Sequence, residues 1–147
     1  MKKTIKLILL ISWLGLIYYF SSQVASESSK VSSGLLAKLY VFYRLFGKLS
    51  LSEYLIAFSK LIRKIAHFSE YFILGILSYT NMKEYFKDNH HFVSILFCMI
   101  CAIVDETHQL FVPGRAYGVI DILIDSCGSV LAIILCHLII KRWLKKY

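Results

Sequence analysis

The sequence predicts an all-α membrane protein: a bundle of four transmembrane helices plus an interfacial amphipathic helix in the first extracytoplasmic loop. Hydrophobic residues make up 58% of the 147 residues, and the mean hydropathy is +0.64, well above the apolar share of soluble globular proteins. Four apolar stretches approach the roughly 20 residues that cross a bilayer. Since no repeat or linker interrupts them, residues 1–147 are predicted to form a single integral membrane domain.

The four spans are predicted at residues 4–21, 61–80, 92–111 and 119–140. The first stretch also fits a cleaved signal peptide, because Lys2 and Lys3 precede it and a passable cleavage site follows at 24–26. A retained span is favoured, because the apolar run is long for a signal and Tyr18 and Tyr19 suit the membrane interface.

The segment between the first two spans is predicted to lie outside the bilayer core. Residues 21–33 contain seven serines and read as a polar loop. Residues 35–48 are rich in aromatic and leucine side chains with three basic residues, which is typical of a helix that lies in the interface. Ser50 and Glu53 have the spacing of a capping box, so a helix is expected to begin there and continue into the second span.

Basic residues cluster at the two ends of the chain. Lys2 and Lys3 precede the first span, Lys6 lies at its start, and the last span is followed by Lys141, Arg142, Lys145 and Lys146. By the positive-inside rule, both termini are predicted to be cytoplasmic. The net charge of +8 does not indicate nucleic-acid binding, because the basic residues sit mostly at the ends of apolar runs, where they meet lipid head groups.

The charged residues of the later spans, together with His67 and His108, fall toward the predicted outer end of the bundle. Charges within spans cost about 2.5–3.5 kcal/mol each on insertion scales and usually mark function. Five carboxylates meet only three cations there, which leaves negative charge to be balanced. The candidate site comprises Arg63, Lys64, His67, Glu70, Asp105, Glu106, His108, Gln109, Arg115, Asp121 and Asp125.

Three functions fit this arrangement. In the first, Arg63, Lys64 and Arg115 hold an anionic or lipid-linked group, while Asp105 and Glu106 orient them or act as acid and base, with His67 as a further catalytic candidate. In the second, the carboxylate–imidazole pairs in "HFSE" (67–70) and "DETH" (105–108), completed by Asp121 or Asp125, serve a metal-dependent hydrolase or transferase.

In the third function, the site only fastens the helices or binds a partner protein. Arg115 then pairs with Asp105 or Asp121, and Arg63 pairs with Glu70. The residues alone leave all three functions open. They identify no cofactor and assign no residue as a metal ligand.

Three blocks resemble the VanZ-like family of small bacterial membrane proteins: "FSSQ" at 20–23, "RKIAHFSEYFILG" at 63–75 and "DETHQLFVPGRAYGVIDILIDSCG" at 105–128. The family takes its name from a protein linked to low-level resistance to teicoplanin, a lipid-tailed glycopeptide. The resemblance implies a multi-pass protein of the bacterial plasma membrane, with a lipid-linked envelope precursor or a lipoglycopeptide as a partner beside membrane lipids. The signature positions it implies are His67, Asp105, Glu106, Gln109, Arg115, Asp121 and Asp125.

Overall fold

Five helices make up the protein in the computed structural model, which describes residues 2–144. They are α1 (Lys3–Ser21), α2 (Ala25–Tyr43), α3 (Leu51–Met82), α4 (His90–Gln109) and α5 (Val119–Leu144). The predicted all-α class is confirmed. Within the described residues, three helices are long and apolar enough to cross a membrane, over Lys3–Ser21, His90–Gln109 and Val119–Arg142. Lys145 and Lys146, predicted to anchor the C-terminus, lie outside the described residues.

The predicted second span, 61–80, lies inside α3, which is the longest helix at 32 residues. The helix begins at Leu51 because Ser50 forms the expected capping box: its side chain accepts from the Glu53 backbone N–H, and the Glu53 carboxylate accepts from the Ser50 backbone N–H at 2.8 Å. The first two thirds of α3 carry Glu53, Lys60, Arg63, Lys64 and Glu70. Because of these charges, α3 differs in composition from the three apolar helices.

The serine-rich segment predicted as a loop over 21–33 is mostly helical, so that prediction was wrong. Only residues 22–24 separate α1 from α2. Serine costs a helix only a few tenths of a kcal/mol per residue, and the Ser32 hydroxyl donates to the Ser28 carbonyl at 3.0 Å along the same helix. Ser32 and Leu36 are buried, and α2 packs on α3, so tertiary packing holds the segment helical.

Helix α3 contacts all four other helices and approaches α5 most closely. A Cβ added at Gly128 would lie 2.5 Å from the Phe68 carbonyl oxygen, and one added at Gly75 would lie 2.6 Å from the Ser129 carbonyl oxygen. Small residues therefore let the two backbones meet, as the spacing of Gly128, Ala132 and Cys136 predicts. This contact sets the positions of side chains on the two facing surfaces.

Successive long helices run in alternating directions. The Asn81 side chain donates to the Lys6 carbonyl at 3.0 Å, so the end of α3 lies beside the start of α1. The Tyr79 hydroxyl lies 3.3 Å from His90 Nε2 and 3.5 Å from His137 Nδ1, which brings in the start of α4 and the later part of α5. We call this the opposite end of the bundle. The other end, where α1 and α4 finish and α5 begins, is the polar end.

Candidate functional site

Four side chains from three helices meet at the polar end. They are His67 of α3, Asp105 and Glu106 of α4, and Asp125 of α5, and each offers one nitrogen or oxygen atom within 4.8 Å of the others. We call these four residues the acidic cluster. Asp125 lies one turn before Gly128, so the close α3–α5 contact carries its carboxylate toward α3. There His67 Nδ1 lies 3.5 Å from Asp125 Oδ1.

The acidic cluster is buried and poorly satisfied. Glu106 and Asp125 are fully buried, at 0% relative exposure. Both Asp125 oxygens, Glu106 Oε1 and His67 Nδ1 have no hydrogen-bond partner among residues 2–144, so the close His67–Asp125 approach lacks hydrogen-bonding geometry. Burying an ionised carboxylate without partners costs several kcal/mol. The cluster therefore holds binding capacity that the fold itself does not use.

Arg115 links the turn between α4 and α5 to the end of α1. Its Nε donates to the Gln23 carbonyl at 3.0 Å and its Nη2 to the Phe20 carbonyl at 3.1 Å. Its Nη1 donates to Gln109 Oε1 at 3.2 Å, and Gln109 Nε2 donates to Asp105 Oδ2 at 3.2 Å. Arg115 thus reaches Asp105 through Gln109.

The direct ion pairs expected for a purely structural site are not formed. Among residues 2–144, neither Arg115 with Asp105 or Asp121 nor Arg63 with Glu70 makes a salt bridge. The planar guanidinium of Arg115 instead turns to carbonyls at the C-terminal end of α1, where the helix dipole is negative. Burial, reinforced by the nearby charge of Arg63, lowers the pKa of Arg115 from its ordinary value.

Backbone geometry in the turn directs Arg115 back over α1. Gly114 has a φ of +78°, a left-handed conformation that favours glycine. The Arg115 backbone N–H donates to the Val112 carbonyl at 3.1 Å, and the Ala25 N–H donates to the Pro113 carbonyl at 3.4 Å. The Pro113–Gly114–Arg115 motif therefore forms a tight turn that is tied to the start of α2.

A cavity of about 500 Å³ opens beside the acidic cluster, within the size range of small-molecule sites. Residues from α1, α2, α3, α4 and the turn form its walls: Ile17, Tyr19, Phe20, Ser21, Gln23, Glu27, Ser28, Val31, Ser32, Arg63, Ala66, His67, Glu70, Asp105 and Arg115. Its lining combines apolar residues of α1 and α2 with ionisable residues of α2, α3, α4 and the turn. The cavity therefore suits a ligand with both an apolar part and a charged part.

A second cavity of about 280 Å³ shares Arg63, His67 and Arg115 with the first. Lys60, Lys64 and Asp121 line it as well. Every binding residue predicted from the sequence except His108 lines a cavity or belongs to the acidic cluster.

His108 faces α1 instead. Its ring lies 4.7 Å from that of Tyr18, and its Nδ1 lies 3.4 Å from Ser21 Oγ. Glu70 lines the larger cavity, while its backbone carbonyl accepts a hydrogen bond from Trp13 at 2.9 Å. Of the carboxylate and imidazole groups that "HFSE" and "DETH" offer for the metal hypothesis, His67 and Asp105 belong to the acidic cluster, with Asp125 beside them, and Glu70 and His108 do not.

Helical spacing places Tyr71 on the same face as His67 and Glu70, but Tyr71 was not predicted as a site residue. Tyr71 is fully buried, and its hydroxyl has no hydrogen-bond partner among residues 2–144. Its position four residues after His67 was the available signal. The "FSSQ" block contributes mainly through the Phe20 and Gln23 carbonyls, which no side-chain pattern reveals.

A sequence model of the family described as VanZ/LLP1 matches residues 6–141, nearly the whole chain. No curated protein and no solved structure matches. The matched region includes the acidic cluster, the Arg115 turn and both cavities.

Proposed function

The chain belongs to the VanZ/LLP1 family, and from that premise we propose that it is a non-transporting bacterial envelope protein that binds an anionic or lipid-linked group at the outer leaflet. Asp105, Glu106 and His67 are its candidates for acid–base chemistry on that group. A single small bundle lacks the two-repeat architecture common in transporters.

The proposed topology has four spans, with α3 as the fourth. Helix α3 packs against α1, α4 and α5. It runs antiparallel to α1 and α4 and parallel to α5. Four of its charged residues line the cavities: Lys60, Arg63, Lys64 and Glu70. Basic residues at both ends of the chain favour cytoplasmic termini. The polar end then faces outward, with α2 in the interface beside it.

Cysteine labelling tests this topology. In a background without the four native cysteines, single cysteines at Tyr117 in the turn and at Lys87 between α3 and α4 are treated in intact cells with a membrane-impermeant reagent. We expect labelling at 117 and protection at 87. The reverse pattern would place the polar end in the cytoplasm.

The main support for the binding proposal is the position of Arg63, which lines the larger cavity without an acidic partner among the described residues. Arg63 is half-buried and lines both cavities, and it forms no salt bridge with any described acidic residue. Ile17, Phe20 and Val31 are among the apolar residues that line the larger cavity. A guanidinium without a carboxylate partner is suited to a phosphate or carboxylate head, and the apolar lining residues are suited to the tail.

Native mass spectrometry of protein purified in mild detergent tests binding directly. We expect an anionic lipid or lipid-linked adduct on the wild type that is reduced at least tenfold in Arg63→Ala. Lys38→Ala is the matched control, since Lys38 is an exposed basic residue of α2 outside both cavities. Equal adducts on all three proteins would refute binding through Arg63.

Growth assays test the implied link to glycopeptides. A drug with a lipid tail enters the bilayer beside the outward-facing cavity, whereas a tail-less drug does not. Overproduction is therefore expected to raise the inhibitory concentration of teicoplanin more than that of a tail-less glycopeptide. Arg63→Ala should abolish the difference at equal membrane protein level. An equal shift for both drugs removes the tail argument.

A further inference from the structure

We propose that the acidic cluster of His67, Asp105, Glu106 and Asp125 is a binding site for a divalent first-row cation, Mn²⁺ or Zn²⁺. The site does not include Arg63, which is proposed to contact the anionic head, but it shares His67, Asp105 and Glu106 with the proposed acid–base candidates. The inference does not depend on the lipid proposal.

The geometry of the cluster is close to that of a coordination shell. The four offered atoms lie within 4.8 Å of one another. Ligands on opposite sides of a cation bound at about 2.1 Å are about 4.2 Å apart. A contraction of a few tenths of an ångström at each side chain is therefore enough to close the shell.

Unpartnered buried atoms point independently to a ligand. Asp125 and Glu106 are fully buried, and three of their four carboxylate oxygens have no hydrogen-bond partner in the described chain. His67 Nδ1 is in the same state. Buried polar atoms are nearly always satisfied in native proteins, so unsatisfied atoms from three helices at one point call for an absent partner.

Hydrogen bonds outside the cluster hold two of the carboxylates in place. Asp105 uses Oδ2 to accept from Gln109, and Glu106 uses Oε2 to accept from the Gly118 backbone N–H at 2.8 Å. Each carboxylate thus has one oxygen tethered and the other free to coordinate. Metal-binding carboxylates are commonly fixed in this way by partners outside the coordination shell.

Charge balance also favours a cation. Three carboxylates face one imidazole in the cluster, and Arg115 hydrogen-bonds to Gln109 and α1 carbonyls instead of to them. Protons or a bound cation must neutralise the remainder. His67 and Asp105 also line the larger cavity, which provides a path of entry.

The donor set indicates the kind of cation. Three carboxylate groups suit hard divalent ions, and an imidazole nitrogen shifts the preference toward first-row transition metals and Zn²⁺. Mg²⁺ requires nearly ideal octahedral oxygen ligation and keeps several waters. We therefore expect Mn²⁺ and Zn²⁺ to bind at least tenfold more tightly than Mg²⁺.

Metal loading of the purified full-length chain tests the site. The protein is stripped with a chelator, incubated with Mn²⁺ or Zn²⁺, desalted and measured for bound metal by mass spectrometry. We expect about one equivalent per chain in the wild type and a loss of at least tenfold in affinity in Asp125→Asn and Glu106→Gln. Asp88→Asn is the matched control, because Asp88 is an exposed carboxylate between α3 and α4, outside the cluster and both cavities, and should bind as the wild type does.

A spectroscopic readout guards against loss through misfolding. Electron spin-echo spectra of the Mn²⁺-loaded wild type should show coupling to an imidazole nitrogen, which His67→Gln removes. If Asp125→Asn does not fold, the metal affinity of Glu106→Gln and the imidazole coupling test the site instead. A wild type that takes up neither metal, or cluster variants that bind as tightly as the wild type, overturns the proposal. That outcome would mean that protons neutralise the cluster, and it would leave the lipid-adduct test unaffected.

Discussion

Most buried polar side chains at the opposite end of the bundle are paired with one another or with backbone; the buried Ser78 hydroxyl has no hydrogen-bond partner among the described residues. Glu84 forms salt bridges with Lys6 and Lys3. The Asn81 amide donates to two carbonyls, at 3.0 and 2.8 Å. Tyr79 lies within hydrogen-bonding distance of two histidines. These contacts fasten α1, α3, α4 and α5 together and leave these groups little capacity for a ligand.

At the polar end, by contrast, the most deeply buried groups are the ones that lack partners. Asp125 and Glu106 are fully buried and largely unsatisfied, while the more accessible Arg115 makes three hydrogen bonds. At the opposite end, by comparison, the described part of the chain satisfies its buried polar groups apart from the Ser78 hydroxyl. The contrast teaches that the polar end is maintained at a cost to stability, which is typical of a binding or catalytic site.

The largest expected effect on stability comes from Arg115, which makes three hydrogen bonds at the polar end. Arg115→Ala removes hydrogen bonds to α1 and α4 and should lower the free energy of unfolding by about 3 kcal/mol, because several part-buried acceptors lose a charged donor. Thermal unfolding in detergent measures the change, with Lys38→Ala as the exposed control. Adding Asp105→Asn should restore part of the lost stability, because Arg115 is linked to Asp105 through Gln109. Adding Asp121→Asn should restore none of it. Equal rescue by both would contradict the bridged geometry.

A slightly smaller effect is expected where α3 and α5 meet between the two ends. Gly128→Ala places a methyl group against the Phe68 carbonyl, so the helices must separate, at about 1–3 kcal/mol. Gly15→Ala is the control, since a Cβ there meets nothing within 4 Å. It should be neutral or slightly stabilising. Similar unfolding midpoints for the two variants would show that the helices do not meet as described.

Neutralising Asp125 should move stability and function in opposite directions. In chelator-treated protein, Asp125→Asn removes a buried charge without changing shape, so unfolding should become about 1–2 kcal/mol less favourable. The same variant should lose metal uptake. Asp121→Asn, at a partly exposed position, is expected to stay within about 0.5 kcal/mol of the wild type. If Asp125→Asn instead destabilises the metal-free protein, the Asp125 carboxylate stabilises the folded state and its role is structural.

The smallest expected effect is the contribution of Glu84, at the opposite end, to stability at low pH. The hydrogen bond from Lys6 holds the pKa of Glu84 below its ordinary value. A lowered folded-state pKa gives stability that is present above the unfolded-state pKa and is lost as the pH falls through the folded-state pKa. Glu84→Gln should therefore show a slightly shallower loss of unfolding midpoint between pH 7 and pH 3. If the unfolding midpoints of the two proteins fall in parallel with pH, Glu84 does not contribute to the acid sensitivity of the fold.

Much of the fold follows from residue periodicity. The apolar runs predicted α1, α4 and α5, the Ser50–Glu53 spacing predicted the start of α3, and the small residues around Gly128 predicted close packing. These signals are local, or repeat along one helix. The serine-rich start of α2 failed, because its helicity depends on packing against α3, which composition does not reveal.

The candidate site was only partly predictable, for a related reason. Alternating spans bring the ionisable residues to one end, but spacing cannot show which atoms meet. The sequence suggested that Arg115 pairs with a carboxylate, whereas its main partners are carbonyls at the end of α1. Every residue has a carbonyl, so no side-chain pattern marks that contact. His67 and Asp125 meet because two helices approach at glycines, which spacing alone does not show.

The hydrogen bonds from Arg115 to α1 also bear on how the chain is assembled during synthesis. Residue 115 follows Gln23 by 92 positions, so α1 emerges from the ribosome long before the side chain that secures its C-terminal end. The partners of Trp13 and Lys6 are made earlier: Glu70 on α3 follows Trp13 by 57 positions, and Glu84 just after α3 follows Lys6 by 78 positions. Helix α1 is thus secured progressively, from its middle to its start and last at its end. The larger cavity, which α1 borders, is completed only after the turn between α4 and α5 has been made.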